Sequence, residues 1–264
     1  MRLLLKLSAI GNKLTFNYNY PLAAVIYNFL RIGSDEFSDF LHEKGYRIEG
    51  KSYKLFNFAL RPQNAIAQRD KYLLRVPNAE LIISSPISEE FIQNFVIGTF
   101  NNHTFSIEDG NIRTNFRINS VEVIPEPIFT DKMRFTLLSP IVLSTKRETN
   151  GKLKQYYFRF YDDIDEINRV LTKNLTNKFR LIYNKEINGV VRIKWDETYI
   201  EKKNSEGKRL TKKVTIHAND QEATDVIGNL LPFEITAPPE LIRTGWECGF
   251  GEKNSMGFGM ASPC

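Results

Sequence analysis

Apolar positions recur along this chain with two periods, and each period marks a different kind of element. Residues 2–10 alternate or run apolar and read as a strand. After Pro21, the positions Leu22, Val25, Ile26, Phe29 and Leu30 fall at helical spacing and predict an amphipathic helix lying on a sheet. Ser34 followed by Asp35 and Glu36 is an N-cap with an acidic first turn; Phe37, Phe40 and Leu41 form the buried side of a short second helix ending near Gly45. Strand-like runs follow over 53–60 and 70–84. Ser88 caps a helix with Phe91, Ile92, Phe95 and Val96 on one face, and residues 102–124 return to strand patterning through Phe116, Ile118, Val121 and Val123. The order is βαββαβ.

Pro125-Glu126-Pro127 interrupts the pattern and reads as a linker, because proline disfavours both helix continuation and central strand pairing. The order then repeats. Met133 to Ser144 reads as a strand, Tyr156 to Tyr161 as extended aromatic sequence, and Ile164, Ile167, Leu171, Leu175, Phe179 and Ile182 mark a long helix. Strands near 189–199 and 208–217 are joined by a basic loop with Lys202, Lys203, Gly207, Lys208 and Arg209. A short strand near 232–236 precedes a helix from Pro238-Pro239-Glu240 to about Cys248, and Met256 to Ser262 reads as the last strand. The expected fold is α+β, two tandem ferredoxin-like (βαββαβ, RRM-like) domains spanning 1–124 and 130–264. That fold hosts many functions and does not by itself choose one.

Composition narrows the classes. The 264 residues carry a net charge of +5, which permits a polyanion partner without demanding one. No stretch approaches the ~20 apolar residues of a membrane helix. Charge interrupts Met1-Arg2-Leu3-Leu4-Leu5-Lys6-Leu7 too early for a signal peptide, so a cytoplasmic protein without membrane association is expected. The two cysteines, Cys248 and Cys264, lack C-x-x-C spacing and a nearby histidine; neither a zinc site nor a disulfide framework is expected, and no metal or other cofactor. Chemistry then falls to ordinary side chains, with His42, His103 and His217 as the whole histidine inventory.

Near the end of the chain, Gly249-Phe250-Gly251-Glu252-Lys253-Asn254-Ser255-Met256-Gly257-Phe258-Gly259 sets two G-x-G pairs around a polar bridge. Glycine permits positive φ and close backbone approach, and exposed N–H groups in such a loop can hold phosphate oxygens. The other reading of the glycines is a hairpin at a surface turn. Within this run neither dinucleotide-binding spacing nor a Walker A pattern is present, since its glycines open no βαβ helix and it holds no Gly-Lys followed by Ser or Thr. This run resembles the C-terminal glycine-rich signature of the repeat-associated RNA-binding superfamily of CRISPR systems. Within it, the chain resembles the endoribonucleases that cut precursor CRISPR RNA in each repeat.

The resemblance implies duplicated ferredoxin-like domains, CRISPR repeat RNA as partner, and metal-independent cleavage by 2′-hydroxyl attack that leaves a cyclic phosphate and a 5′-hydroxyl. Ile26-Tyr27, Leu41-His42-Glu43 and Lys54-Leu55-Phe56 resemble the region of these enzymes in which a Tyr, a His and a Lys form the active site. The catalytic candidates are therefore Tyr27, His42 and Lys54, with Lys51 and Lys44 as rival cations and the choice of base between Tyr27 and His42 open. The RNA-binding candidates are Gly249, Gly251, Lys253, Asn254, Ser255, Gly257 and Gly259. Leu138-Ser139-Pro140-Ile141 matches a further segment of the superfamily, and Ser139 with Lys146 and Arg147 reads either as a phosphate contact or as a solvated charged strand end. Two other readings stand beside this one: a noncatalytic RNA-binding subunit of a CRISPR effector complex, whose other subunits would be further partners, and a ferredoxin-like metabolite-binding protein.

Overall fold

The computed structural model describes residues 1–10, 13–68, 73–110, 112–149, 151–216 and 223–264. Two compact units account for them. The first comprises Met1–Glu126 with Val214–Asp225 and Ser255–Gly257, and the second comprises Pro127–Lys213, Val226–Asn254 and Phe258–Cys264.

In chain order the first stretch runs β1 (Arg2–Ile10), β2 (Leu14–Thr15), α1 (Asn19–Gly33), α2 (Asp35–Asp39) with a π-helical turn Phe40–Lys44, β3 (Tyr46–Ile48), β4 (Lys51–Tyr53), β5 (Asn57–Gln63), β6 (Ile66–Gln68), β7 (Leu73–Arg75), β8 (Asn78–Ser84), a π-helical turn Ser88–Gln93 leading into α3 (Asn94–Asn101), β9 (Thr104–Asp109) and β10 (Ile112–Ile124). Its main sheet has the order β5-β8-β1-β10-β9, with antiparallel neighbours throughout. Period-two alternation puts Leu3, Leu5 and Leu7 of β1 on one face, where they pack in one core with Leu22, Ile26, Phe29 and Leu30 of α1 and Phe95 of α3. Each such side chain contributes about 1.5–3 kcal/mol by leaving water.

The remaining elements are β11 (Lys132–Leu137), β12 (Ser144–Thr149), β13 (Lys152–Tyr157), α4 (Ile164–Tyr183), β14 (Arg192–Trp195), α5 (Glu197–Ser205), β15 (Thr211–Ile216), β16 (Thr224–Asn229), β17 (Phe233–Thr236), α6 (Pro239–Cys248), a 3₁₀ turn Asn254–Met256 and β18 (Ala261–Pro263). The second unit's sheet runs β14-β17-β11-β18. In both units the first and third core strands lie at the centre, with the second and fourth flanking them, as a βαββαβ ferredoxin-like sheet requires. On α4, Ile167, Leu171, Leu175 and Phe179 form the buried stripe, packed in one core with Phe233 and Ile235 of β17 and Trp246 of α6. Among the described residues no helix is long and apolar enough to cross a membrane.

Several local elements differ from the sequence pattern, each for a physical reason. Ser34 caps α2 as expected, its hydroxyl accepting from the Phe37 N–H at 3.2 Å. Ser88 does not cap; the Ser85 hydroxyl accepts from the Ile87 N–H instead, at 3.1 Å. β11 stops at Leu137 rather than reaching Ser144, because Leu138 and Ser139 both donate to the Met260 carbonyl and Pro140 has no N–H to continue a ladder. The stretch expected to extend as strand to 199 turns into α5, N-capped by Asp196 accepting from the Tyr199 N–H at 3.0 Å. That helix fully buries no residue and only half-buries the adjacent Tyr199 and Ile200 against the core, so it carries no apolar stripe at helical spacing to read. Lys202 and Lys203 thus lie on a helix and not in the basic loop. The last strand is confined to Ala261–Pro263.

The packing of α1 on α3 depends on Gly98, where an added Cβ would overlap the Phe29 carbonyl oxygen. Helix propensity alone favours alanine over glycine by about 1 kcal/mol. Gly98→Ala should nevertheless lower the urea unfolding midpoint, because backbone cannot yield as a flexible side chain would. A raised midpoint would show that the helices part without cost.

Candidate functional site

In the first unit, α1 carries Tyr27 beside its buried stripe, half-buried, while α2 and its π-helical turn bring His42 to an exposed position at the helix end. The two rings meet edge to face with centroids 5.1 Å apart, and Phe56 closes on the other side of Tyr27 at 5.7 Å. The turn ends at Gly45, whose φ of +60° suits glycine and whose N–H donates to the Phe40 carbonyl at 2.8 Å. A Cβ at Gly45 would lie 2.9 Å from Cδ of Lys54, so glycine here makes room for the chain returning from the β3–β4 hairpin. That return delivers Lys54, whose Nζ donates to the His42 carbonyl oxygen at 2.7 Å. The three residues chosen from the sequence therefore converge. Lys44 and Lys51 are exposed, on the turn and on β4, while the Lys54 ammonium bonds the His42 carbonyl.

Electrostatics separates the members of this cluster. Burial pushes the Tyr27 phenol well above the ordinary tyrosine range, so it keeps its proton at neutral pH. Burial also lowers Lys54, with the Arg47 charge adding to the effect. The Lys54 ammonium, held by the His42 carbonyl, is a local source of positive potential for an anion. Among the described residues, no three His, Cys, Asp or Glu side chains gather as metal ligands would.

The glycine-rich run is built differently from an open cradle of N–H groups. Gly249, Gly251, Gly257 and Gly259 all have positive φ and are buried, as is Asn254; Lys253 and Ser255 are half-buried. Phe250 donates its N–H to the Gly259 carbonyl and Gly259 to the Pro140 carbonyl, both at 2.8 Å, while Glu252 donates to the Val142 carbonyl at 2.7 Å. At Gly259 a Cβ would overlap the Phe250 carbonyl oxygen, so the run cannot close with a larger residue there. In the first unit the Asn19 amide donates to the carbonyls of Met256 and Gly257 at 2.9 and 3.1 Å.

What holds the run in the second unit is Lys178 of α4, only 2 % exposed. Its ammonium donates to the Gly249 carbonyl at 2.7 Å, the Gly251 carbonyl at 2.8 Å and Asn254 Oδ1 at 2.7 Å. Burying an ammonium costs several kcal/mol, and three charge-assisted hydrogen bonds of about 1.5–3 kcal/mol each offset that cost. Burial lowers Lys178 to about 8, with Cys248 and Glu252 opposing the shift. The sequence reading missed this residue. The signal was available: Lys178 lies three positions after Leu175 on the apolar stripe of α4, where a lone lysine must either reach solvent or find oxygens.

Other candidates have structural employment. The Ser139 hydroxyl accepts from the Met260 N–H at 2.9 Å and is buried, so Leu138-Ser139-Pro140-Ile141 braces the chain before β18 rather than offering a free hydroxyl. Arg147 lies 3.7 Å over the Tyr156 ring and pairs with Glu166 at 3.1 Å. In the aromatic run, Phe158 is buried and Tyr161 exposed. Glu206 binds Lys203 and Lys208 at 3.1 and 2.9 Å. His103 is exposed ahead of β9, and His217 lies outside the described residues.

Comparison with known proteins agrees with this architecture. Residues 124–263 match the family model described as CRISPR associated protein Cas6, C-terminal. Over 258 residues the chain is 31% identical to the CRISPR-associated endoribonuclease Cas6 1 of Methanocaldococcus jannaschii, covering 93% of this chain and 85% of that one. A solved structure of a CRISPR associated protein Cas6 superposes with a TM-score of 0.73 at 27% identity, covering 100% of this chain and 99% of that one. The structure of a Cas6-related gene product of Pyrococcus furiosus reaches a TM-score of 0.80 at 21% identity over 100% and 98% of the two chains, a likeness of fold. The fold and glycine-rich run define a CRISPR-associated protein of tandem ferredoxin-like architecture. The chain belongs to the Cas6 family.

The need for glycine at 259 can be separated from positive φ alone. Gly50 also has positive φ, +72°, but an added Cβ there meets nothing within 4 Å. Alanine at either position costs about 1–2 kcal/mol in the left-handed region. Gly259→Ala should add about 1–3 kcal/mol from forced overlap, read as a larger fall in unfolding free energy than for Gly50→Ala. Equal losses would mean that the Phe250 carbonyl moves aside freely.

Proposed function

We propose that this protein is a metal-independent endoribonuclease that cuts precursor CRISPR RNA within its repeats to release guide RNA. The supporting observation is the convergence of Tyr27, His42 and Lys54, with the rings 5.1 Å apart and the Lys54 ammonium 2.7 Å from the His42 carbonyl. The 2′-oxygen upstream of the cut attacks the adjacent phosphorus, a new P–O2′ bond forms, and the P–O5′ bond breaks. A base removes the 2′-hydroxyl proton, an acid protonates the departing 5′-oxygen, and a cation stabilises the charge on the phosphoryl oxygens. The products are a 2′,3′-cyclic phosphate and a 5′-hydroxyl.

In this scheme the half-buried Tyr27 phenol, which keeps its proton in the free protein, serves as donor. His42, exposed at the helix end with its ring against that phenol, serves as base. Lys54 supplies the cation. In the glycine-rich run, Lys253 and Ser255 are the side chains partly open to solvent and suited to phosphate, while Gly249, Gly251, Gly257, Gly259 and Asn254 shape the backbone that carries them.

His42→Ala should lower the single-turnover cleavage rate by about two to four orders of magnitude with repeat-RNA affinity nearly unchanged. A near-normal rate would remove His42 from the chemistry. Cleavage by the intact protein should persist in EDTA, and a repeat with a 2′-deoxy residue upstream of the cut should bind and stay intact. Loss of cleavage in EDTA by folded protein, or cutting of the deoxy substrate, contradicts the mechanism.

A further inference from the structure

We propose that Lys178 is a positioning residue for repeat RNA: its buried ammonium orients Asn254 and thereby sets the neighbouring Lys253 side chain against RNA phosphate. The inference rests on the functional reading above and concerns how the glycine-rich run acquires its binding shape. Nζ of Lys178 can only donate, so the Asn254 side chain must turn its Oδ1 toward it at 2.7 Å. The amide nitrogen then faces the other way, donating to the Phe258 carbonyl at 2.8 Å. The same ammonium takes up the carbonyls of Gly249 and Gly251. Asn254 is thus a buried cross-tie between the two limbs of the run, with its orientation dictated from α4. Lys253, immediately before it, is held at φ +57°, a conformation that a lysine rarely adopts unless its surroundings impose it. Removing the ammonium leaves three buried oxygens without their donor and frees the Asn254 amide to flip.

Protonation gives the device a separate signature. A charged lysine has three donors, and a neutral amine has two. Above about pH 8, where burial places Lys178, one of the three oxygens loses its donor. The facing titratable groups are the Cys248 thiol at the end of α6, pushed up to about 12 and therefore uncharged in this range, and the Glu252 carboxylate of the run itself. Glu247 of α6, buried and 3.7 Å from Arg243, acts on Cys248. Global stability moves in the opposite sense. The folded pKa lies below the unfolded value near 10.5, so the unfolded chain binds more protons above pH 8 and the Lys178 contribution to stability rises with pH. A purely structural lysine would therefore not make RNA affinity fall as the fold becomes more stable.

The test measures the Kd of non-cleavable repeat RNA, 2′-deoxy at the cut, from pH 7 to 9 at low salt. It uses the wild type, Lys253→Ala, Lys178→Met and the double variant, with urea unfolding of each. Wild-type affinity should weaken about three- to tenfold across a midpoint near pH 8, the loss of roughly one phosphate contact. Lys253→Ala and Lys178→Met should each start weaker and give flat pH curves. The effect of Lys253→Ala should shrink to less than about twofold in the Lys178→Met background, because coupled residues are non-additive. Parallel pH curves for the wild type and Lys253→Ala overturn the inference, and so do fully additive losses. Should Lys178→Met fail to fold, the wild-type and Lys253→Ala curves still decide. Absence of repeat-RNA binding by the wild type at pH 7 overturns the functional reading and this inference with it; binding with parallel curves overturns this inference alone.

Discussion

Once the Lys178 ammonium leaves water it requires oxygens on three sides, and the glycine-rich run is folded around that requirement. Two of the oxygens are backbone carbonyls, of Gly249 and Gly251, so the run must turn alternate carbonyls inward at residues that tolerate positive φ. The third is Asn254 Oδ1, whose amide nitrogen ties the incoming limb to the outgoing one at Phe258. The helix that delivers the ammonium is itself anchored: Ile167, Leu171 and Leu175 are in the core, and Asn168 Oδ1 accepts from the Ile193 N–H of β14 at 2.9 Å. A cation on a rigid helix therefore organises a segment with little regular secondary structure. The arrangement is demanding, because every partner must be present for the buried charge to be tolerated.

The Tyr27, His42 and Lys54 cluster follows the opposite economy. Its members sit at the edge of the first unit's core, on one helix, one helix end and one returning segment, with little burial beyond Tyr27 and Lys54. Precision comes from backbone devices: the Ser34 cap that starts α2, the π-helical turn that carries His42, and Gly45, which lets Lys54 pass close enough to bond the His42 carbonyl. Desolvation then differentiates the groups, keeping the phenol protonated while the imidazole remains accessible. In the proposed cleavage, these two groups in unlike environments would supply the acid and the base.

Much of the fold was legible because burial is periodic. β1, α1, α4 and β17 are regular segments packed on one side, and their apolar residues recur at strand or helix spacing. Where burial is not periodic, the pattern misled: α5 only half-buries Tyr199 and Ile200, the chain beyond Leu137 is governed by hydrogen bonds to Met260, and Ser85 displaced Ser88 as the polar brace before α3. The candidate cluster was legible through resemblance at Tyr27, His42 and Lys54, and the glycines through their own spacing. Lys178 went unread although its place on the α4 stripe was visible.

Residue order alone determined the two βαββαβ successions, the break at Pro125-Glu126-Pro127, and the need for unusual backbone at Gly249, Gly251, Gly257 and Gly259, since these follow from local period, proline geometry and the absence of a Cβ. Only the tertiary structure decided which way the glycine-rich peptides face and which lysine stands beside His42. Both depend on hydrogen bonds between residues distant in sequence, Lys178 with Gly249, Gly251 and Asn254, and Lys54 with His42. A one-dimensional pattern records that such a donor or acceptor exists; the partner it meets is chosen by how helices and strands pack, because a buried charge takes whichever oxygens the fold brings within reach.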